Sequence, residues 1–204
     1  MPTHAAQALL DVLIFWILTT PHEFAHAWVA TRLGDDTPRR DGRVTLNPAA
    51  HVDWLGTVIV PLATSLMGAG FLGWGRPVRT DPSKLRWGRV GLAVVAMAGP
   101  LSNVVFAGVI ALAANVAPAA GEILFRAAYM SIYLALFNLI PLPPLDGSKV
   151  LLAAGFPVGW YVELGRYGFL LLMVLFYSTG AMRVLQATTL ETVYALFRTL
   201  VFRT

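Results

Sequence analysis

Long apolar runs separated by short polar loops set the pattern of this chain. Apolar residues dominate 8 to 33, 54 to 72, 90 to 114 and 122 to 142, with a fifth run at 160 to 180. Runs near 20 residues are what an α-helix needs to cross about 30 Å of hydrocarbon. All five carry Gly, Pro or a polar residue, so none is a plain anchor. From about 181 to 203 the spacing becomes amphipathic, with Arg183, Glu191 and Arg198 on the polar side, which predicts a helix on the membrane surface or against a bundle. Residues 34 to 53, "GDDTPRRDGRVTLNPAAHVD", form a punctuated loop in which "GRVTLN" has the length and β-branched content of a short strand. A second polar loop, "GWGRPVRTDPSKLRWGR", follows the second run. The pattern therefore predicts an all-α membrane protein, a polytopic helical bundle with short β-strand elements in its loops.

Composition supports this class. Of 204 residues, 57% are hydrophobic and 13% charged, with mean hydropathy +0.66. We expect one integral-membrane domain over 1 to 204. The net charge of +4 is no nucleic-acid signature, because the basic residues sit in short loops between apolar runs, where they report membrane orientation. The absence of cysteine excludes disulfides and Cys-type zinc sites, so any metal must be held by His, Asp or Glu. The start "MPTHAAQALLDVLIFW" lacks a basic region and cleavage site, so the first run is expected to be a retained helix.

The first run contains "TTPHEFAHAWVA", residues 19 to 30. His22 and His26 are four apart, hence on one helix face, with Glu23 beside them: the H-E-x-x-H pattern of two zinc ligands and a general base. The plainer reading is two core histidines satisfied by backbone carbonyls. An ionisable side chain at the centre of a membrane helix costs about 2.5 to 3.5 kcal/mol, and three within five residues favour a shared purpose, metal binding. Pro21 cannot donate to the Ile17 carbonyl and loosens the helix just before the motif, with Thr19 and Thr20 available to satisfy the freed acceptor. A catalytic zinc site uses three protein ligands and leaves one position for water. Asp11, His51, Asp53, Glu122 and Asp146 are candidates for the third. Asp11 is about three turns away on the same helix, Glu122 suits a helix N-terminus, and His51 also reads as a solvated loop residue. Asp146 stands out because "FNLIPLPPLDGSKV" breaks a long apolar helix with three prolines, and irregular backbone at membrane depth lines a cavity.

His22-Glu23-x-x-His26, "AGPLSN" at 98 to 103 and "NLIPLPPLDG" at 138 to 147, in that order, resemble the site-2 protease family of intramembrane zinc metalloproteases. The chain looks like the short bacterial branch, without PDZ or CBS domains. The resemblance implies one zinc ion held by His22, His26 and Asp146, Glu23 as general base, Asn138 near the scissile carbonyl, and Asn103 in helix packing and positioning. It further implies transmembrane proteins or peptides as substrates, the lipid bilayer as surroundings, no nucleic acid, and a bacterial plasma membrane location. The rival readings are a non-catalytic relative that binds membrane helices and a metal-ion transporter. The first should lack Glu23 or a ligand, and the second often carries repeated halves, of which none is visible.

Depth constrains topology. His26 lies about 9 Å inside the basic end of the first helix, at Arg32, which the positive-inside rule makes cytoplasmic. For Asp146 to reach the same depth, the run at 122 to 142 must travel in the same direction, so 54 to 72 is expected to enter and return rather than cross. An extended substrate held along "GRVTLN" or "GRPVRT" by strand addition is the expected binding mode.

Overall fold

The computed structural model describes residues 3 to 68 and 70 to 201. Helix α1, His4–Arg32, opens with the Thr3 hydroxyl accepting from Ala6 N–H at 3.3 Å. It closes in a Schellman turn: Asp35 N–H reaches the Ala30 carbonyl at 3.0 Å and Gly34 N–H the Thr31 carbonyl at 3.2 Å, with Gly34 at φ 106°, a conformation that favours glycine. A short helix α2, Thr37–Arg40, follows, then a wide-turned stretch Trp54–Ile59 continuing into α3, Val60–Leu66. Helix α4 spans Arg89–Ala114 and α5 spans Gly121–Asn138. Beyond irregular residues 139 to 145 come α6, Asp146–Ala153, α7, Val158–Arg166, α8, Gly168–Thr179, and α9, Ala181–Leu200.

Helix α4 is the central element, packed against α1, α5 and α6, while α9 lies along α5. Ala107, Ala111 and Ala114 of α4 meet Ala128 of α5, and such small side chains let helix backbones approach where hydrophobicity alone gives no driving force. A second core joins Phe15 and Leu18 of α1 to Tyr133, Leu134 and Phe137 of α5 and to Phe176 of α8. Apolar side chains also cover much of the outside, unlike a water-soluble bundle. Leu9, Leu13 and Ile17 form an exposed stripe on α1, and Leu101, Val105 and Leu112 another on α4, whereas Thr19, Thr20, Asn103 and Ser131 are buried. Helices His4–Arg32, Arg89–Ala114 and Pro118–Asn138 are long and apolar enough to cross a membrane. Helices α7 and α8 meet at a 70° bend and together pass the same test.

Several expectations change. The described residues contain no strand. "GRVTLN" and "GRPVRT" fail as strands because their polar groups are satisfied elsewhere. Arg43 N–H donates to the Pro38 carbonyl at 2.8 Å and the Thr45 carbonyl lies 2.8 Å from His51 Nε2, while Arg76 N–H donates to the His51 carbonyl at 2.9 Å and Val78 N–H to the Glu23 carboxylate at 3.2 Å. Residues 70 to 81 thus run without regular structure, bound to turns and side chains, with no ladder partner. The run expected at 122 to 142 stops at Asn138, since Pro141, Pro143 and Pro144 cannot donate to a helix. Residue 69 of the expected 54–72 segment and residues 202 and 203 of the expected last helix lie outside the described residues.

Candidate metal centre

In α1 the hydroxyls of Thr19 and Thr20 both donate to the Trp16 carbonyl, at 2.9 and 3.2 Å, one residue before the Ile17 acceptor that Pro21 leaves without its usual donor. One turn later His22 and His26 project into the bundle, edge to face, with ring centroids 4.7 Å apart and Nε2 atoms 3.1 Å apart. The irregular stretch after α5 brings Asp146, first residue of α6, against them. Its Oδ2 lies 3.1 Å from His22 Nε2 and 3.0 Å from His26 Nε2. All three side chains are buried.

The outer bonds decide the chemistry of those nitrogens. The Asn103 amide nitrogen donates to the Leu18 carbonyl and the Ser131 hydroxyl, so its oxygen faces His22 Nδ1 at 2.6 Å and can only accept. His26 Nδ1 lies 2.7 Å from the Val95 carbonyl, also an acceptor only. Both imidazoles therefore carry N–H at Nδ1 and, when neutral, present bare Nε2 lone pairs to a carboxylate oxygen. Three acceptors that converge without a proton to share repel one another unless a cation sits among them. Their separations of 3.0 to 3.1 Å are close to the edge of about 3.3 Å that a tetrahedral zinc with bonds near 2.05 Å requires. The three donors, with Asn103 and the Val95 carbonyl holding the two imidazoles from behind, fit zinc.

Gly99 makes this approach possible. A Cβ there would stand 2.3 Å from His26 Nε2 and 2.6 Å from His22 Nε2, so no larger residue lets α4 pass so near both rings. Glu23 is buried beside the histidines, its Oε2 accepting from Val78 N–H. A cavity of about 740 Å³ is lined by His22, Glu23, His26, Asp146, Asn138 and Lys149 together with apolar residues including Trp74 and Phe169. Asn138 is partly buried on its wall and donates from Nδ2 to the Leu134 carbonyl at 2.9 Å, one turn back in its own helix.

The remaining sequence candidates lie elsewhere. Asp11 is paired with Arg126 of α5. Asp53 accepts from Gly56 N–H at 2.9 Å and starts the turn into α3, and Glu122 sits in the first turn of α5. His51 is buried in the loop, bonded through Nε2 to the Thr45 carbonyl at 2.8 Å, and burial lowers its pKa below the ordinary 6.5. Lys149, whose Nζ donates to Asp146 Oδ1 at 2.8 Å, escaped the sequence reading, although its position three residues after Asp146 was a usable signal. Ser131 and the Val95 carbonyl also escaped it, and nothing local in the sequence marks them.

The pattern described as Peptidase family M50 matches residues 108–158, a stretch that includes Asn138, Asp146 and Lys149. YwhC of Bacillus subtilis (strain 168) is 33% identical over 186 residues, covering 83% of this chain and 81% of its own length. Rip2 of Mycolicibacterium smegmatis (strain ATCC 700084 / mc(2)155) is 31% identical over 148 residues, covering 69% of this chain and 55% of its own length. Both bear provisional zinc-metalloprotease names. No solved structure matches the chain.

Proposed function

The chain belongs to peptidase family M50, the site-2 protease family, and is a zinc metalloprotease; from that premise we propose that it hydrolyses peptide bonds within or beside transmembrane segments of membrane proteins. One observation carries the reading: two imidazole lone pairs, the Asp146 carboxylate and Glu23 converge on a single cavity among the apolar helices. His22, His26 and Asp146 hold the zinc ion. Bound there, zinc polarises a carbonyl oxygen and makes water acidic near neutral pH. Glu23 takes the proton from the attacking water and delivers it to the leaving nitrogen. Asn138 keeps one amide hydrogen beyond its bond to Leu134, and directs it to the oxygen of the scissile carbonyl.

The whole chain acts as one membrane-embedded protease domain in a bacterial plasma membrane. Helices α1 and α5 both end toward the cytoplasm, which puts His26 and Asp146 at one depth. The apolar segment Trp54–Leu66 supports a re-entrant path, since its 13 residues extend only about 20 Å in helical form, short of a crossing. Most Lys and Arg residues fall between Arg32 and Arg89, on both sides of that segment, as one shared cytoplasmic face requires. The test is to map the scissile bond by mass spectrometry on candidate membrane proteins cleaved in bilayers, with and without a zinc chelator. Chelator-sensitive cuts inside or next to an apolar span are expected. Cuts confined to soluble domains, or insensitive to chelation, would contradict it.

A further inference from the structure

Asp146 divides its two oxygens between different partners. Oδ2 faces both histidine Nε2 atoms, at 3.1 and 3.0 Å, whereas Oδ1 accepts from Lys149 Nζ at 2.8 Å. The order Asp-Gly-Ser-Lys sets carboxylate and ammonium three residues apart, on one face at the start of α6. The setting is not that of an ordinary surface pair. The Asp146 side chain is 7% exposed, and Lys149 lines the same cavity as Glu23. Each of the other two candidate ligands also has an outside partner, His22 in Asn103 and His26 in the Val95 carbonyl, so Lys149 completes the set.

Resting on the zinc-metalloprotease reading, we infer that Lys149 is a positioning residue that keeps Asp146 a one-oxygen ligand and so preserves the coordination position that water needs. A carboxylate can offer a metal one oxygen or two, and a hydrolytic zinc site works with three protein donors and one open place. The charge-assisted bond from Lys149 occupies Oδ1 and leaves Oδ2 as the oxygen turned to the histidines. Without the ammonium, Oδ1 is free to turn inward and compete with water beside Glu23. Removing an outer-shell partner of this kind typically changes metal affinity or activity by about 10- to 100-fold.

The experiment compares the wild-type full chain with Lys149→Met and Lys149→Arg in lipid nanodiscs, reading zinc content, kcat, KM and the visible spectrum of the cobalt-substituted protein. Lys149→Met should retain one metal per chain and lose about 10- to 100-fold in kcat with KM little changed. Its cobalt bands should weaken, as they do when coordination number rises. Lys149→Arg, which can still hold Oδ1, should restore both kcat and spectrum. A wild-type cobalt spectrum in Lys149→Met, whatever its activity, overturns the inference. Should Lys149→Met not fold, judged by thermal unfolding, Lys149→Ala carries the same expected and overturning results. A wild-type chain without stoichiometric zinc would instead sink the metalloprotease reading itself.

Discussion

Replacing Gly99 by alanine adds one methyl group where α4 passes close to both imidazoles. The new Cβ would stand 2.3 Å from His26 Nε2, 2.5 Å from its Cε1 and 2.6 Å from His22 Nε2, against an ordinary contact of 3.4 Å or more. Relief needs a displacement of about 1 Å at both rings together. The bonds that hold the rings, to Asn103 and to the Val95 carbonyl, come from α4 itself, so neither turning the rings nor shifting the helix spares them. Overpacking of this kind costs about 1 to 3 kcal/mol in stability. A shift of about 1 Å at catalytic groups costs on the order of 100-fold in rate, about 2.7 kcal/mol of transition-state stabilisation. The assay is zinc content, kcat/KM and thermal unfolding of Gly99→Ala beside Gly108→Ala, a change on the same helix whose Cβ would meet no atom within 4 Å. The control should be neutral or slightly stabilised. Gly99→Ala with wild-type zinc affinity and kcat/KM would refute the close approach of α4 to the site.

Further outcomes follow from other contacts. Asn103→Ala removes the acceptor that fixes the His22 tautomer, and a zinc competition titration should show affinity lowered by about 10- to 100-fold. Burial holds the pKa of His51 below 6.5, so the unfolded chain takes up a proton that the folded chain refuses. The stability that neutral His51 confers is fully present above pH 6.5 and is lost as pH falls from there through the lower folded value. Chemical unfolding of His51→Gln should accordingly show a flatter acid limb than the wild type, and parallel limbs would contradict this. On the proposed re-entrant path, cysteines introduced at Asp36 and Asp81 should be labelled from the same face of the membrane, and labelling from opposite faces would overturn that path.

The parts legible in the sequence were those governed by local spacing and composition. His22, Glu23 and His26 occupy positions that any α-helix would bring together, and the apolar runs announced the spans of α1, α4 and α5. Asp146 was legible as a candidate because Pro141, Pro143 and Pro144 just before it break a long apolar helix. Misread features depended on partners distant in the chain. Residues 75 to 80 are expected as a substrate-holding edge, yet Arg76 and Val78 find their acceptors in the His51 carbonyl and the Glu23 carboxylate, which no local pattern discloses. The same holds for Ser131, whose hydroxyl accepts from the Asn103 amide 28 residues away, and for the Val95 carbonyl, a backbone group without any sequence signature. The run at 160 to 180 contains no proline to mark a break, yet helices α7 and α8 meet there at 70°.

The reading as a metalloprotease in which Glu23 moves the proton is tested most directly by cleavage of a membrane-protein substrate by Glu23→Gln, prepared with one zinc ion per chain and compared with zinc-loaded wild type. Gln keeps the size of the side chain and leaves His22, His26 and Asp146 in place, but it cannot take a proton from water. Wild type should cleave and the zinc-loaded variant should not. Cleavage by Glu23→Gln at the wild-type rate would contradict the assignment.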